Sequence, residues 1–111
     1  MPGLRVQARY KNRVICSHFH LLRLNINFIA VLTSMTNQGA LSQAQFEDYT
    51  KDERYEWHSR IRFLDDLVDH FAWHQFLTFK NVLEEINPNL YDVIFNNKPV
   101  DESLFLYIYR Y

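Results

Sequence analysis

The chain has 111 residues, of which 48% are hydrophobic and 16% aromatic, with two glycines, three prolines and one cysteine. This length and composition indicate one small globular domain and exclude a disordered, low-complexity or disulfide-stapled protein. The formal net charge is −1, and the lone Cys16, which has no partner for an intramolecular disulfide, predicts a reducing compartment, the cytoplasm.

Charge is distributed unevenly along the chain. Residues 1–46 carry five basic residues and no acidic one, whereas residues 47–111 carry seven basic residues and all 13 acidic ones. The acidic part is a poor candidate for nucleic-acid binding, because neutralising phosphates requires clustered Lys and Arg. The apolar stretch at 19–34 is interrupted by Arg23 and two asparagines, so no membrane span is expected.

The first 34 residues alternate apolar and polar side chains. The alternation covers 4–10 and 22–28, and a period of two is typical of half-buried strands, with the sequence KNR at 11–13 suited to closing a hairpin. A lone two-stranded ribbon is only marginally stable in water. This basic leader is therefore predicted to be a docked β-hairpin, a disordered segment, or upstream sequence that is not native to the folded unit.

We favour the last interpretation, because the acid-free composition ends near Met35, where a helix-start signal follows. Ser42 and Gln45 form a capping box, in which the Ser hydroxyl accepts a hydrogen bond from the Gln45 amide while the Gln side chain reaches back. The predicted folded unit is an acidic helical domain over 35–111. The leader composition also resembles that of an organellar transit peptide, but its twofold alternation does not match an amphipathic helix.

One long helix is predicted over 52–76. Its apolar residues are spaced by four and three positions, which places them on one helical face. These residues are Trp57, Ile61, Leu64, Val68 and Phe71.

Shorter helices are predicted over 79–86, capped by Thr78, and from Pro88, capped by Asn87. The tail 101–111 is ambiguous between helix and strand, and a short helix is predicted. The fold class is therefore mainly α: a small bundle of one long helix and two or three short ones, preceded by the leader at 1–34.

Two histidine clusters raise the question of a metal site. Asp66, His70 and His74 have the i, i+4, i+8 spacing of one helical side, but one helix seldom supplies a whole site and no further ligand motif follows. Cys16, His18 and His20 would share one face of a strand. Chance spacing and a surface His70–Asp66 pair explain these clusters better, and neither a metal nor another cofactor is predicted.

Aromatic residues outside the predicted core indicate protein binding. Trp73 is predicted to project from the long helix near Asp66 and Asp69, and Trp and Tyr carry a large share of contact energy. The alternative is that a neighbouring helix covers Trp73.

We predict a non-enzymatic interaction module that binds a basic protein partner, or a second copy of itself, but neither nucleic acid nor a membrane. The predicted contact residues are Trp73, Tyr107, Tyr109, Tyr111, Asp66 and Asp69. The alternative function is a metal-binding or hydrolytic helical domain that uses His70, His74 and neighbouring carboxylates.

Overall fold

The structure is a computed structural model that describes residues 3–105. Within this range the chain forms α-helices, two short 3-10 turns and no strand, so the prediction of a mainly α protein is confirmed. The helices are α1 (Leu4–Ser17), α2 (Phe19–Asn25), α3 (Phe28–Asn37), α4 (Gln43–Thr50), α5 (Glu56–Asp69), α6 (Trp73–Ile86) and α7 (Pro88–Phe95). The 3-10 turns span Glu53–Tyr55 and Glu102–Leu104. None of the helices in the described part is long and apolar enough to cross a membrane.

The prediction of a single long helix is wrong, because the chain turns sharply after α5. The amides of His70 and Phe71 both donate to the Asp66 carbonyl, at 2.9 and 2.8 Å, and this tight turn ends the helix. The Gln75 side chain accepts a hydrogen bond from the Ala72 amide at 2.7 Å and so caps the start of α6. The turn directs Phe71 into the core. The predicted stripe therefore ends on a turn residue, and Trp73 begins a new helix.

The leader is also helical, so the predictions of a hairpin or a disordered segment are wrong for residues 3–34. The chain there forms α1, α2 and most of α3, and α1 packs chiefly on α5. The buried positions of α1 are Gln7, Lys11, Val14 and Ile15, which is helical spacing. Two of these four side chains are polar, and for that reason the apolar pattern alone does not reveal the helix.

The second alternating segment crosses a helix boundary. Leu22 lies in α2, Ile26 in the linker and Phe28 at the start of α3, and all three are buried. The Asn27 amide donates to the Asn87 side-chain oxygen at 3.0 Å, which joins the start of α3 to the junction between α6 and α7. A period of two thus arises here from two helices meeting at a bend.

One continuous core unites the segments on both sides of Met35. Phe63 of α5 lies at its centre, with its ring 5.5 to 5.9 Å from those of Phe28, Tyr49, Phe71 and Phe79. Such edge-on ring contacts add to the free energy gained from burial alone. The chain before Met35 therefore shares the aromatic centre of the domain.

Two predicted helix starts are confirmed. The Ser42 hydroxyl accepts from the Gln45 amide at 3.0 Å, and the Gln45 side chain accepts from the Ser42 amide at 2.8 Å, as in a capping box. Asn87 precedes α7, with Pro88 at its first position, but the Asn87 side chain does not cap the helix and accepts from the Asn27 amide instead. The helix predicted over 79–86 instead begins at Trp73. Most of the tail prediction, including Tyr107, Tyr109 and Tyr111, lies outside the described residues.

Candidate protein-binding groove

An aromatic cluster joins α1 to the start of α6. The Tyr10 ring lies edge-on to Trp73 at 5.9 Å and to Phe76 at 6.0 Å, and the Trp73 and Phe76 rings are stacked at 5.4 Å. Phe76 is fully buried, whereas Tyr10 and Trp73 remain half-buried at the surface. Trp73 is thus partly covered by a neighbouring helix, and that helix comes from the leader.

A shallow groove of about 220 Å³ lies beside this cluster, between α1 and α6. It is lined by Val6, Gln7, Tyr10, Trp73, Leu77 and Lys80. Val6 and Leu77 are 57% and 38% exposed, so the groove presents aliphatic as well as aromatic surface to solvent. Adjoining exposed apolar residues are typical of contact sites, whereas single ones are not informative.

Among residues 3–105, the groove lining includes one cation, Lys80, and no carboxylate, while three arginines lie elsewhere on α1. The Arg13 guanidinium lies over the Tyr10 ring at 5.6 Å, and the Lys80 ammonium lies over the Phe95 ring at 5.2 Å. Arg5 and Arg9 lie on the exposed side of α1. None of these four cations forms an ion pair with any residue in 3–105. No direct ion pair therefore neutralises these four charges within that range.

A buried lysine fixes α1 against the turn between α5 and α6. The Lys11 ammonium donates to the Phe71 carbonyl at 2.7 Å, and the residue is 6% exposed. Burial lowers the pKa of Lys11, and the nearby charge of Asp69 partly offsets that effect. The hydrogen bond therefore joins α1 to the turn that immediately precedes α6.

The acidic residues of the predicted contact set face other surroundings. The Asp66 carboxylate accepts a short hydrogen bond from the Tyr49 hydroxyl, and burial together with this carboxylate raises the pKa of Tyr49. Asp69 is exposed at the end of α5, close enough to influence Lys11. Trp73 and Asp69 therefore both border α1, while Asp66 belongs to the packing of α4 on α5.

Neither histidine cluster has the geometry predicted for it. His70 lies beyond the end of α5 and His74 lies on α6, so Asp66, His70 and His74 do not share one helical face. His70 and Asp66 do approach, with 4.0 Å between the His Nε2 and a carboxylate oxygen. Across residues 3–105, no three His, Cys, Asp or Glu side chains lie close enough to hold a metal ion together.

The shared strand face for Cys16, His18 and His20 is likewise wrong. Cys16 is in α1, His20 is in α2, and His18 lies at the bend between these helices. The Cys16 thiol and the two imidazoles therefore do not share one face of a single element.

Two larger clefts offer less to a ligand than their volumes of about 530 and 420 Å³ indicate. The larger cleft contains the Arg60 guanidinium, which donates hydrogen bonds to the Glu56 carboxylate and to the Arg23 carbonyl, both at 2.9 Å. The second contains the Tyr49–Asp66 hydrogen bond already described. In both clefts, the principal charged groups thus already form hydrogen bonds within the protein.

The groove residues contributed by the leader are absent from the contact set predicted from sequence. Val6 and Tyr10 are four residues apart, which places them on one side of a helix. This four-residue spacing is the feature of the sequence that could have indicated a shared helical face. The twofold alternation of the same segment is stronger and predicts a strand instead. Leu77 and Lys80 similarly extend the Trp73 surface by one and two turns of α6.

Comparison of the chain with protein-family models, curated proteins and solved structures finds no match.

Proposed function

We propose that this protein is a non-enzymatic protein-interaction module that binds its partner in the groove between α1 and α6. The observation that carries the proposal is an apolar groove, lined by Trp73 and Leu77, together with cations on α1 and α6 that form no ion pair with any residue in 3–105. The occupant we propose is an amphipathic helix of another protein, with aliphatic side chains on one face and carboxylates beside them. Helices of this kind commonly bind in apolar grooves.

The size of the groove supports side chains of a protein as the occupant. Small-molecule pockets usually enclose roughly 300–1,000 Å³, and the groove volume of about 220 Å³ falls below that range. A few aliphatic side chains on a helix need no deeper enclosure, because the rest of that helix remains in solvent.

The charge around the groove favours an acidic partner over a second copy of the chain. Two copies meeting through this groove would bring together two α1 helices, each with Arg5, Arg9 and Arg13, and like charges placed together disfavour association. The basic partner expected from the sequence depended on Asp66 and Asp69. Asp66 accepts the Tyr49 hydrogen bond and Asp69 lies near Lys11, so we base the proposal on the cationic groove instead.

The test uses a fluorescein-labelled, alanine-rich helical peptide with two adjacent leucines and glutamates on the same face. We expect the full-length protein to bind this peptide with a Kd on the order of 10–100 μM by fluorescence anisotropy, as for weak transient contacts. Leu77→Asp should abolish binding by placing a carboxylate in the groove. Ile29→Asp is the matched control, because Ile29 is 45% exposed on α3 and does not line the groove.

Three results would overturn this proposal. The first is the absence of saturable binding to the peptide. The second is an equal loss of binding in Leu77→Asp and Ile29→Asp. The third is preference for another occupant, either phosphatidylserine vesicles or a second copy of the chain, the latter seen as dimerisation in sedimentation equilibrium that Leu77→Asp abolishes.

A further inference from the structure

The exposed side of α1 carries an arginine in each of three successive turns. Arg5, Arg9 and Arg13 are spaced by four residues, so they share one side of the helix, and all three are exposed. The buried residues of α1 lie on the opposite side. We call the exposed side the arginine face; its residues are Arg5, Ala8, Arg9, Asn12, Arg13 and Cys16.

The charge of the arginine face meets no carboxylate directly. Residues 1–46 contain no acidic residue, so neither α1 nor the adjoining α2 supplies one. Across residues 3–105, no carboxylate forms an ion pair with Arg5, Arg9 or Arg13. A shallow cleft of about 350 Å³ lies on this face, lined by Ala8, Arg9, Asn12 and Arg13. Guanidinium and amide groups therefore border an open space that an anionic group can enter.

The chemistry of the arginine face favours phosphate groups over an apolar surface. No aromatic or large aliphatic side chain belongs to the face, whereas the centre of a protein–protein contact is enriched in such side chains. A helix that lies on a membrane also needs an exposed apolar side, and the apolar Val14 and Ile15 of α1 are buried in the core. Contacts to the phosphates of nucleic acid need only cations and hydrogen-bond donors, which Arg and Asn provide.

The shape of α1 suits duplex DNA. An α-helix is about 10–12 Å wide, and the major groove of B-form DNA, about 12 Å wide, admits one, whereas the major groove of duplex RNA is too narrow. We propose that the arginine face binds the phosphate backbone of duplex DNA, as a second binding surface that shares no residue with the groove between α1 and α6. The sequence-based expectation against nucleic acid rested on the acidic part of the chain at 47–111, which contributes nothing to this face.

The salt dependence of binding tests the proposal. We expect the full-length protein to bind a short fluorescein-labelled DNA duplex with a Kd on the order of 10–100 μM at about 50 mM NaCl, as for sequence-independent contacts. Each neutralised phosphate contributes about −0.9 to the slope of log K against log salt concentration, so three arginines should give a slope of about −2.7. Arg5→Gln, Arg9→Gln and Arg13→Gln should each make this slope less negative by about 0.9.

Matched controls remove one positive charge elsewhere. Lys51 and Arg54 are exposed and lie outside α1, so Lys51→Gln and Arg54→Gln should leave the slope nearly unchanged. These variants lower the net charge by the same amount as the arginine variants, which separates local contacts from a general electrostatic effect. Circular dichroism of all five variants checks that each retains the fold.

Cys16 reports whether DNA covers this particular face. It is exposed, and it is the single cysteine of the chain, so its alkylation by iodoacetamide measures access to the arginine face alone. We expect an excess of the duplex to slow this alkylation several-fold. The triple variant Arg5→Gln/Arg9→Gln/Arg13→Gln should lose this protection.

Four outcomes would overturn the proposal. They are the absence of saturable binding at low salt, equal slopes for Arg9→Gln and Arg54→Gln, binding that leaves the alkylation of Cys16 unchanged, and preference for phosphatidylserine vesicles over the duplex. Protection of Cys16 together with a shallower slope in each arginine variant would support it.

Discussion

Removal of residues 1–34 is the sharpest test of how this domain is built. The sequence favours a folded unit that begins at Met35, whereas the packing leads us to expect that this fragment does not fold. The leader contributes six apolar side chains that are 2% exposed or less. They are Ile15, Leu22, Ile26, Phe28, Val31 and Leu32.

The size of this contribution decides the expected result. Burying one such side chain stabilises a protein by about 1.5–3 kcal/mol, so the six together contribute on the order of 10–20 kcal/mol before conformational entropy is subtracted. The whole free energy of unfolding of a small domain is about 5–15 kcal/mol. Truncation also exposes the Phe63 side of the core, where Phe28 now packs.

Circular dichroism and thermal unfolding of the full chain and of the 35–111 fragment provide the assay. We expect the fragment to lose its cooperative transition and its near-ultraviolet signal. A pair of full-length variants tests the same reasoning without truncation, because adjacent residues differ in burial. Phe28→Ala, at 1% exposure, should lower the unfolding free energy by about 3–5 kcal/mol, whereas Ile29→Ala, at 45% exposure, should change it by less than about 1 kcal/mol. A fragment that melts cooperatively within a few degrees of the full chain would refute this account.

Four further changes test the turn between α5 and α6. Phe71→Ala should lower the unfolding free energy in urea by about 3–5 kcal/mol and Asp69→Ala by less than about 0.5 kcal/mol, and equal effects would contradict the assigned burial. The pKa of Lys11 is lowered in the folded state. At pH values between this lowered pKa and the ordinary one, the unfolded chain binds more protons than the folded protein. The contribution of Lys11 to the free energy of unfolding should therefore rise with pH across this range. Lys11→Met should remove this rise, and an unchanged pH profile would exclude Lys11 as its source. Trp73→Ala should lower the free energy of unfolding by about 2 kcal/mol, since the ring is half-buried against Tyr10 and Phe76, and a melt equal to that of the unsubstituted protein would place Trp73 outside the packing.

The sequence alone determined those features whose causes lie within one turn of helix. The capping box of Ser42 and Gln45 joins residues three positions apart, and Pro88 suits the first helical position because its missing amide has no partner there. The stripe predicted on α5 is matched only in part, because Leu64 is buried but Trp57 is 46% exposed and Ile61 and Val68 are half-buried. The fully buried neighbours of Leu64 on this helix are Phe63 and Leu67. These local rules yield a mainly helical protein without knowledge of any distant contact.

Tertiary structure alone decided where the long helix ends and what the leader becomes. The chain turns at Phe71 because burying that ring against Phe63, together with the hydrogen bond from Lys11, compensates for interrupting a helix that the local pattern would continue. Lys11 occupies a buried position in α1 because its ammonium donates to the Phe71 carbonyl, 60 residues further along the chain. The groove has the same origin, since Val6 and Tyr10 meet Leu77 and Trp73 only once α1 has packed on α5. Periodicity reports which residues share a face of one element, and only packing specifies which element that face meets.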